Sequence, residues 1–183
     1  PATMIDRIVP ATTDADRAAV EAALGARDEG AVVTEGFSQW VIEDDFAGPR
    51  PRWEAVGAEL VADVVPYETA KLRMLNGAHS ALAYLGLARG YAFVHEAIAD
   101  PVLFDLIGAL MRQEAAPTLR SAPGLDLEAY ADALLMRFAN ALIDDKLALL
   151  RTGAERCHSG NGSKGACAEH HQSRPRIFRS RAP

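Results

Sequence analysis

The stretch from Tyr67 to Leu87, YETAKLRMLNGAHSALAYLGL, constrains this chain more than any other. It is long, free of proline and apolar enough to demand burial. Pro66, just ahead of it, suits the first turn of a helix, where its missing N–H costs nothing. Glu68 puts a negative charge near the positive end of the helix dipole. The spacing therefore predicts a helix from about Tyr67 to Leu87, with Gly90 able to end the region.

At about 100° per residue, Ala70, Met74, Ala78, Ala81 and Leu85 share a small apolar face suited to packing on other helices. Glu68, Lys71, Asn76 and His79 fall on a separate arc about 140° wide, interspersed with Leu72, Leu75 and Leu82. A solvated face would not hold those leucines. The arc predicts a lined pocket in which Lys71 is partly withdrawn from water.

That setting has chemical consequences. Desolvation lowers a lysine's pKa and fits it to act as a base nearer neutral pH. An amide and an imidazole beside it can donate hydrogen bonds to an oxygen gaining negative charge. The set suits oxidation of a secondary alcohol: Lys71 takes the hydroxyl proton, Asn76 and His79 hold the oxygen, and a hydride leaves to a cofactor. Spacing alone also fits a packing role, with Lys71 snorkelling, Asn76 bonded to backbone and His79 a satisfied core histidine.

The rest of the chain reads as mostly helical, with a few strands near the start. MIDRI alternates like a short strand, and Thr13-Asp14 caps a helix through about Leu24. AVVTE and FSQWVIED read as two strands, FAGPRPRW as a loop, and AELVADV as a short strand. YAFVHEAIA is a short helix. Asp100 caps another, with Pro101 at its first position, through about Gln113. PTLRSAPG is a loop, DLEAYADALLMRFANAL is helical, and DDKLALL forms a separate helix. The fold class is mainly α, with residues 1–150 as one substrate domain. From about Arg151 the periodicity fails. Residues 151–183 carry seven Lys/Arg against two Asp/Glu, a net +5 within a chain whose total is -6. They read as an aberrant, disordered tail.

Several function classes are disfavoured. The net negative charge argues against nucleic acid as the main partner. No apolar run is long enough for a membrane span, and PATMIDRIVP is no secretory signal. With only Cys157 and Cys167 there is no disulfide framework, and a cytoplasmic location is the default. Cys157, His158, Cys167, His170 and His171 match no common zinc spacing, so no metal is expected. Neither GxGxxG nor a P-loop occurs. Tyr67 and Lys71 form a Y-x3-K pair, but the Gly-rich cofactor fold that it needs upstream is absent. His95-Glu96, Trp40, Trp53 and the Glu43–Phe46 run read as structural.

The stretch FSQWVIEDDFAGPRPRWEAVGAELVADVVPYETAKLRMLNGAHSALAYLG closely resembles the long-chain polyol dehydrogenases, which include mannitol 2-dehydrogenase and the hexuronate reductases. GYAFVHEAIADP and APGLDLEAYADALLMRFAN continue the likeness, which covers roughly residues 1–156. The resemblance implies a metal-independent enzyme with an N-terminal Rossmann domain for NAD and a helical substrate domain. Such an enzyme interconverts a polyol or aldonate and its keto-sugar: mannitol and fructose, or mannonate and fructuronate. Lys71 matches the family's general acid/base, and Asn76 and His79 its oxyanion-stabilising pair. Glu68 matches a glutamate linked to proton exchange, and Asp6 a position beside the nicotinamide.

Two departures stand against this. The Rossmann domain is expected to be missing, so the chain alone should be inactive. Where the family carries an arginine and then D-G-S-x-K, this chain has Ala148, Thr152-Gly153-Ala154 and Arg156, which suggests a frameshifted fragment. Two alternatives therefore remain beside the enzyme: a non-catalytic truncated helical domain, or a subunit needing a separate cofactor-binding chain.

Overall fold

The computed structural model describes the backbone of residues 1–158 and the side chains of residues 1–152. Its architecture is mainly helical, with one small sheet at the N-terminal side.

Strand β1 (Thr3–Asp6) leads to helix α1 (Asp14–Leu24). Thr13 caps α1 as its sequence predicts: its hydroxyl accepts from Asp16 N–H, and the Asp16 carboxylate accepts from Thr13 N–H at 2.7 Å. Strands β2 (Gln39–Glu43) and β3 (Ala58–Val61) complete the sheet. The order is β1-β2-β3, with β1 antiparallel to β2 in the register Met4↔Val41 and β3 parallel to β2 in the register Val41↔Glu59. AVVTE, expected as a strand, joins no ladder. Glu35 meets the chain at Ile8, beyond the end of β1, and there its carboxylate as well as its N–H is engaged.

The long helix runs as three segments: α2 (Val65–Ala70), a π-helical stretch (Lys71–Asn76) and α3 (Gly77–Ala88). In the middle stretch the hydrogen bonds reach one residue further back, as from Gly77 N–H to Leu72 C=O. Buried positions recur in pairs four apart: Ala70-Lys71, Met74-Leu75, Ala78-His79 and Leu82-Ala83. On an ideal α-helix a four-residue repeat drifts by about 40° per turn. A turn that takes an extra residue holds the stripe on one side. The uniform 100° wheel drawn from the sequence is therefore corrected. Leu75 and Leu82 belong to the core, whereas Leu72 is exposed.

Helices α4 (Val94–Ile98), α5 (Pro101–Ala109, running on as a π-helical stretch Leu110–Ala115), α6 (Leu127–Phe138) and α7 (Leu147–His158) surround α3. Met74, Leu82, Ile107, Met111, Leu134, Phe138 and Leu147 form the main core. A smaller cluster of Met4, Val41, Val64 and Tyr67 seats the sheet on α2. At Gly86 the helices approach so closely that a β-carbon would stand 2.7 Å from Leu147 Cδ1 and 2.9 Å from Ala97 Cβ. Helix α7 continues past Arg151, where the sequence reading placed the start of the tail. The tail from residue 159 onward lies outside the described residues, as do the side chains of Cys157 and His158. No described helix is long and apolar enough to cross a membrane.

Candidate active site

The π-helical stretch decides how the three polar groups of the long helix stand to one another. Lys71 opens it and Asn76 ends it. In an i→i+5 turn the sixth residue lies over the first, so Asn76 comes back above Lys71, and His79 follows three residues later on the same side of α3. An uninterrupted α-helix would have set Asn76 about 140° away from Lys71. The π turn thus narrows the angle between Lys71 and Asn76, while of the three groups His79 alone lines the cavity described below.

Lys71 is 8% exposed, and its Nζ donates to the carbonyl oxygen of Ile5 at 2.5 Å. Burial holds its amine below the ordinary lysine range. Asp6 opposes that shift, Arg137 reinforces it and Glu68 opposes it. Glu68 is half-buried, one turn before Lys71. Oδ1 of Asn76 is buried and accepts no hydrogen bond from the described residues. The His79 ring is buried against Phe138, centroids 4.7 Å apart, with Nε2 facing Asp145 Oδ2 at 3.6 Å. A cavity of about 10 Å³, room for roughly one water, is lined by Ile8, His79, Arg137, Asn140 and Asp145 among others.

Asp145 is held from the backbone. Val94 N–H donates to its carbonyl and Leu147 N–H to that of Ala92, so the segment before α7 is pinned to the start of α4. Burial alone pushes the Asp145 carboxyl up to about 6.

Asp6 lies deeper than its sequence role required. It is fully buried, an inward position of β1. Nη2 of Arg137 donates to Oδ1 at 2.7 Å, Nη1 donates to Oδ2 at 3.1 Å, and the Tyr130 hydroxyl donates to Oδ2 at 2.6 Å. Arg137 also donates to Glu35 through Nε and Nη2, the shortest contact being 2.7 Å, and lies over the Phe37 ring at 4.1 Å. The sequence reading missed Arg137, Glu35 and Tyr130. A signal existed: Tyr130, Leu134 and Arg137 share one face of α6, so a cation interrupts an apolar stripe, and an aspartate occupies an inward place on an alternating strand. Among the described residues, no group of three or more His, Cys, Asp or Glu could hold a metal ion.

A mainly helical domain whose long helix carries a buried amine, a buried imidazole and a half-buried amide is the class of structure this chain presents. Comparisons with known proteins give its family. Residues 63–158 match the model of the mannitol dehydrogenase C-terminal domain, and residues 1–55 match that of the mannitol dehydrogenase Rossmann domain. The chain belongs to the mannitol dehydrogenase family. The second match corrects the expectation that the Rossmann domain is missing: part of it is present, and β1, α1 and β2 lie within it.

D-mannonate oxidoreductase of Escherichia coli is 51% identical over 140 residues, 76% of this chain and 29% of the relative. A mannitol dehydrogenase of Saccharomyces cerevisiae is 44% identical over 162 residues, 88% of this chain and 31% of the relative. The structure of Pseudomonas fluorescens mannitol 2-dehydrogenase, a ternary complex with NAD and D-mannitol, superposes with a TM-score of 0.71 at 44% identity. The superposition covers 81% of this chain and 30% of that one. The chain thus spans about a third of the length of the relatives it matches.

Proposed function

We propose that this chain carries the alcohol-handling part of an NAD-dependent oxidoreductase. Its substrate would be a polyol or aldonate, oxidised at a secondary alcohol to the keto-sugar. The observation that carries the reading is the Lys71 amine, buried, lowered in proton affinity and bonded to a neutral carbonyl. In this reading Lys71 takes the hydroxyl proton and returns it in the reverse direction. Asn76 and His79 hold the alcohol oxygen as it gains charge. In this role the Asn76 amide N–H donates to the alcohol oxygen, and its buried Oδ1, which accepts no hydrogen bond from the described residues, is an acceptor for a substrate hydroxyl. Glu68, half-buried one turn away, passes the proton onward to water.

The long helix supplies the alcohol side of such a site, and residues 1–55 supply part of the Rossmann domain. The connection between β1 and α1, residues 7–13, holds no glycine, so the glycine-rich pyrophosphate turn of a dinucleotide fold is a different one. NAD, held by other parts of the protein, would supply the hydride acceptor. Relatives are named for mannitol and for mannonate, which differ by one carboxylate, and for arabinitol.

The test is Lys71→Ala in the protein that joins this segment to a complete dinucleotide-binding domain. The expected result is a loss of turnover on D-mannitol and D-mannonate of about 100-fold or more, with NADH binding retained by titration. Unchanged turnover refutes the assignment. The ratio of activities on the two substrates separates a polyol from an aldonate.

A further inference from the structure

We propose that Arg137 is a positioning residue for this alcohol site: by occupying both oxygens of Asp6 it keeps an acid off Lys71 and leaves that amine on a neutral carbonyl. The inference rests on the reading of Lys71 given above and names a residue that reading did not include.

The geometry begins in β1. Lys71 Nζ bonds Ile5 C=O, and the very next residue is Asp6. A carboxylate at that distance along the chain is the obvious acceptor for a buried ammonium. The salt bridge does not form, because Asp6 is turned to α6, where Arg137 takes it through two N–H groups and Tyr130 adds a third donor. Arg137 is fixed in turn. Glu35 accepts from its Nε and Nη2, Ile8 N–H holds the Glu35 carboxylate at 2.5 Å, and the Phe37 ring covers the guanidinium. Arginine suits the post, because its planar fork spans two carboxylates and it does not lose its proton.

The arrangement settles what Lys71 experiences. Two acids, Asp6 and Glu35, balance two bases, Arg137 and Lys71, in a region where none is more than 9% exposed. A buried carboxylate left unpaired beside an amine would hold the amine's proton. Three charged groups act on Lys71: Asp6 from β1, Arg137 from α6 and Glu68 from its own helix. Glu35 and the Tyr130 hydroxyl bond Arg137 and Asp6. Removing the Arg137 charge therefore releases Asp6 to act on Lys71. Removing the Asp6 charge does the opposite.

The sequence has three lysines, Lys71, Lys146 and Lys164, so the side-chain ¹³C resonances of the labelled chain can be titrated directly. The Lys71 signal is assigned by its loss in Lys71→Arg. In Arg137→Met the Lys71 midpoint is expected to rise by about 1–3 units. In Asp6→Asn it is expected to fall. In the double variant Asp6→Asn/Arg137→Met it is expected to drop back below that of Arg137→Met. An unchanged midpoint in a folded Arg137→Met overturns the proposal, as does a double variant that keeps the Arg137→Met value. Should Arg137→Met not fold, Asp6→Asn decides: a lowered midpoint supports the proposal and an unchanged or raised one overturns it. No turnover enters these readings. A Lys71→Ala enzyme of normal activity would sink the alcohol assignment and leave the midpoints as they are.

Discussion

Asp145 Oδ2 stands 3.6 Å from Nε2 of His79, beside a cavity about the size of one water. The carboxyl is raised to about 6 by burial, which has a measurable effect on stability. Its unfolded value is about 3.9. Between the two values the folded chain binds more protons than the unfolded one, so this group's contribution falls as pH rises from about 4 to about 6. Asp145→Asn removes the penalty. The variant should match the parent below about pH 4 and exceed it above about pH 6, by roughly 2–3 kcal/mol. Urea denaturation at four pH values across that range measures this. A difference that does not change with pH would show that Asp145 carries no such penalty.

A second prediction concerns the crossing of α3 with α4 and α7. Leu147 is fully buried, so its Cδ1 has little freedom to move away from a methyl group placed at Gly86. Gly86→Ala should destabilise the chain by about 1–3 kcal/mol, even though alanine is the better helix former by roughly 1 kcal/mol. A thermal midpoint at or above the parent's would mean that the helices separate at little cost.

The cap of α1 predicts a local effect. No residue of α1 is fully buried, so the helix draws little from the core. Thr13→Ala removes the hydroxyl that accepts from Asp16 N–H and leaves the bond from its own backbone N–H to the Asp16 carboxylate, at a cost of about 1 kcal/mol. Amide exchange should quicken across Asp14–Leu24 and stay unchanged in α3 and α6. Equal acceleration in all three helices would mean that α1 unfolds only with the whole chain.

The sequence showed the elements whose causes are local. The Thr13–Asp16 box, Asp100 before Pro101 and the apolar spacing of the long helix each act within a few residues, and each element lies close to its expected bounds. AVVTE looked like a strand because its residues favour one. What decides its state is a partner, and Ile8 lies past the last paired residue of β1. The Arg137 cluster joins positions 6, 35, 130 and 137. A single chain's pattern marks each as an odd polar residue but does not say that they meet. The π turn was legible only as a repeat of four where 3.6 was expected. The wheel missed it by assuming a constant angle.

That turn yields the last prediction. Leu72 is half-exposed within the six-residue π-helical stretch, so deleting it takes no side chain from the core. Five residues then span the gap, and the ladder can close with ordinary i→i+4 bonds. Everything before the deletion must turn by about 100° relative to α3 and move about 1.5 Å along the axis. Tyr67 opposes the change through its core packing and the bond from its hydroxyl to Pro123 C=O at 2.6 Å, so the variant should also lose stability. Lys71 sits on the turning side and should leave Ile5 C=O for solvent. Acylation at neutral pH followed by peptide mass spectrometry reads the outcome, with Lys146, exposed at the surface, as the internal reference. In the parent, Lys71 should react more slowly than Lys146, because burial outweighs its lowered proton affinity. In the deletion variant the two should react alike. A Lys71 that stays protected would show that tertiary contacts, and not the extra residue of the π turn, set its direction.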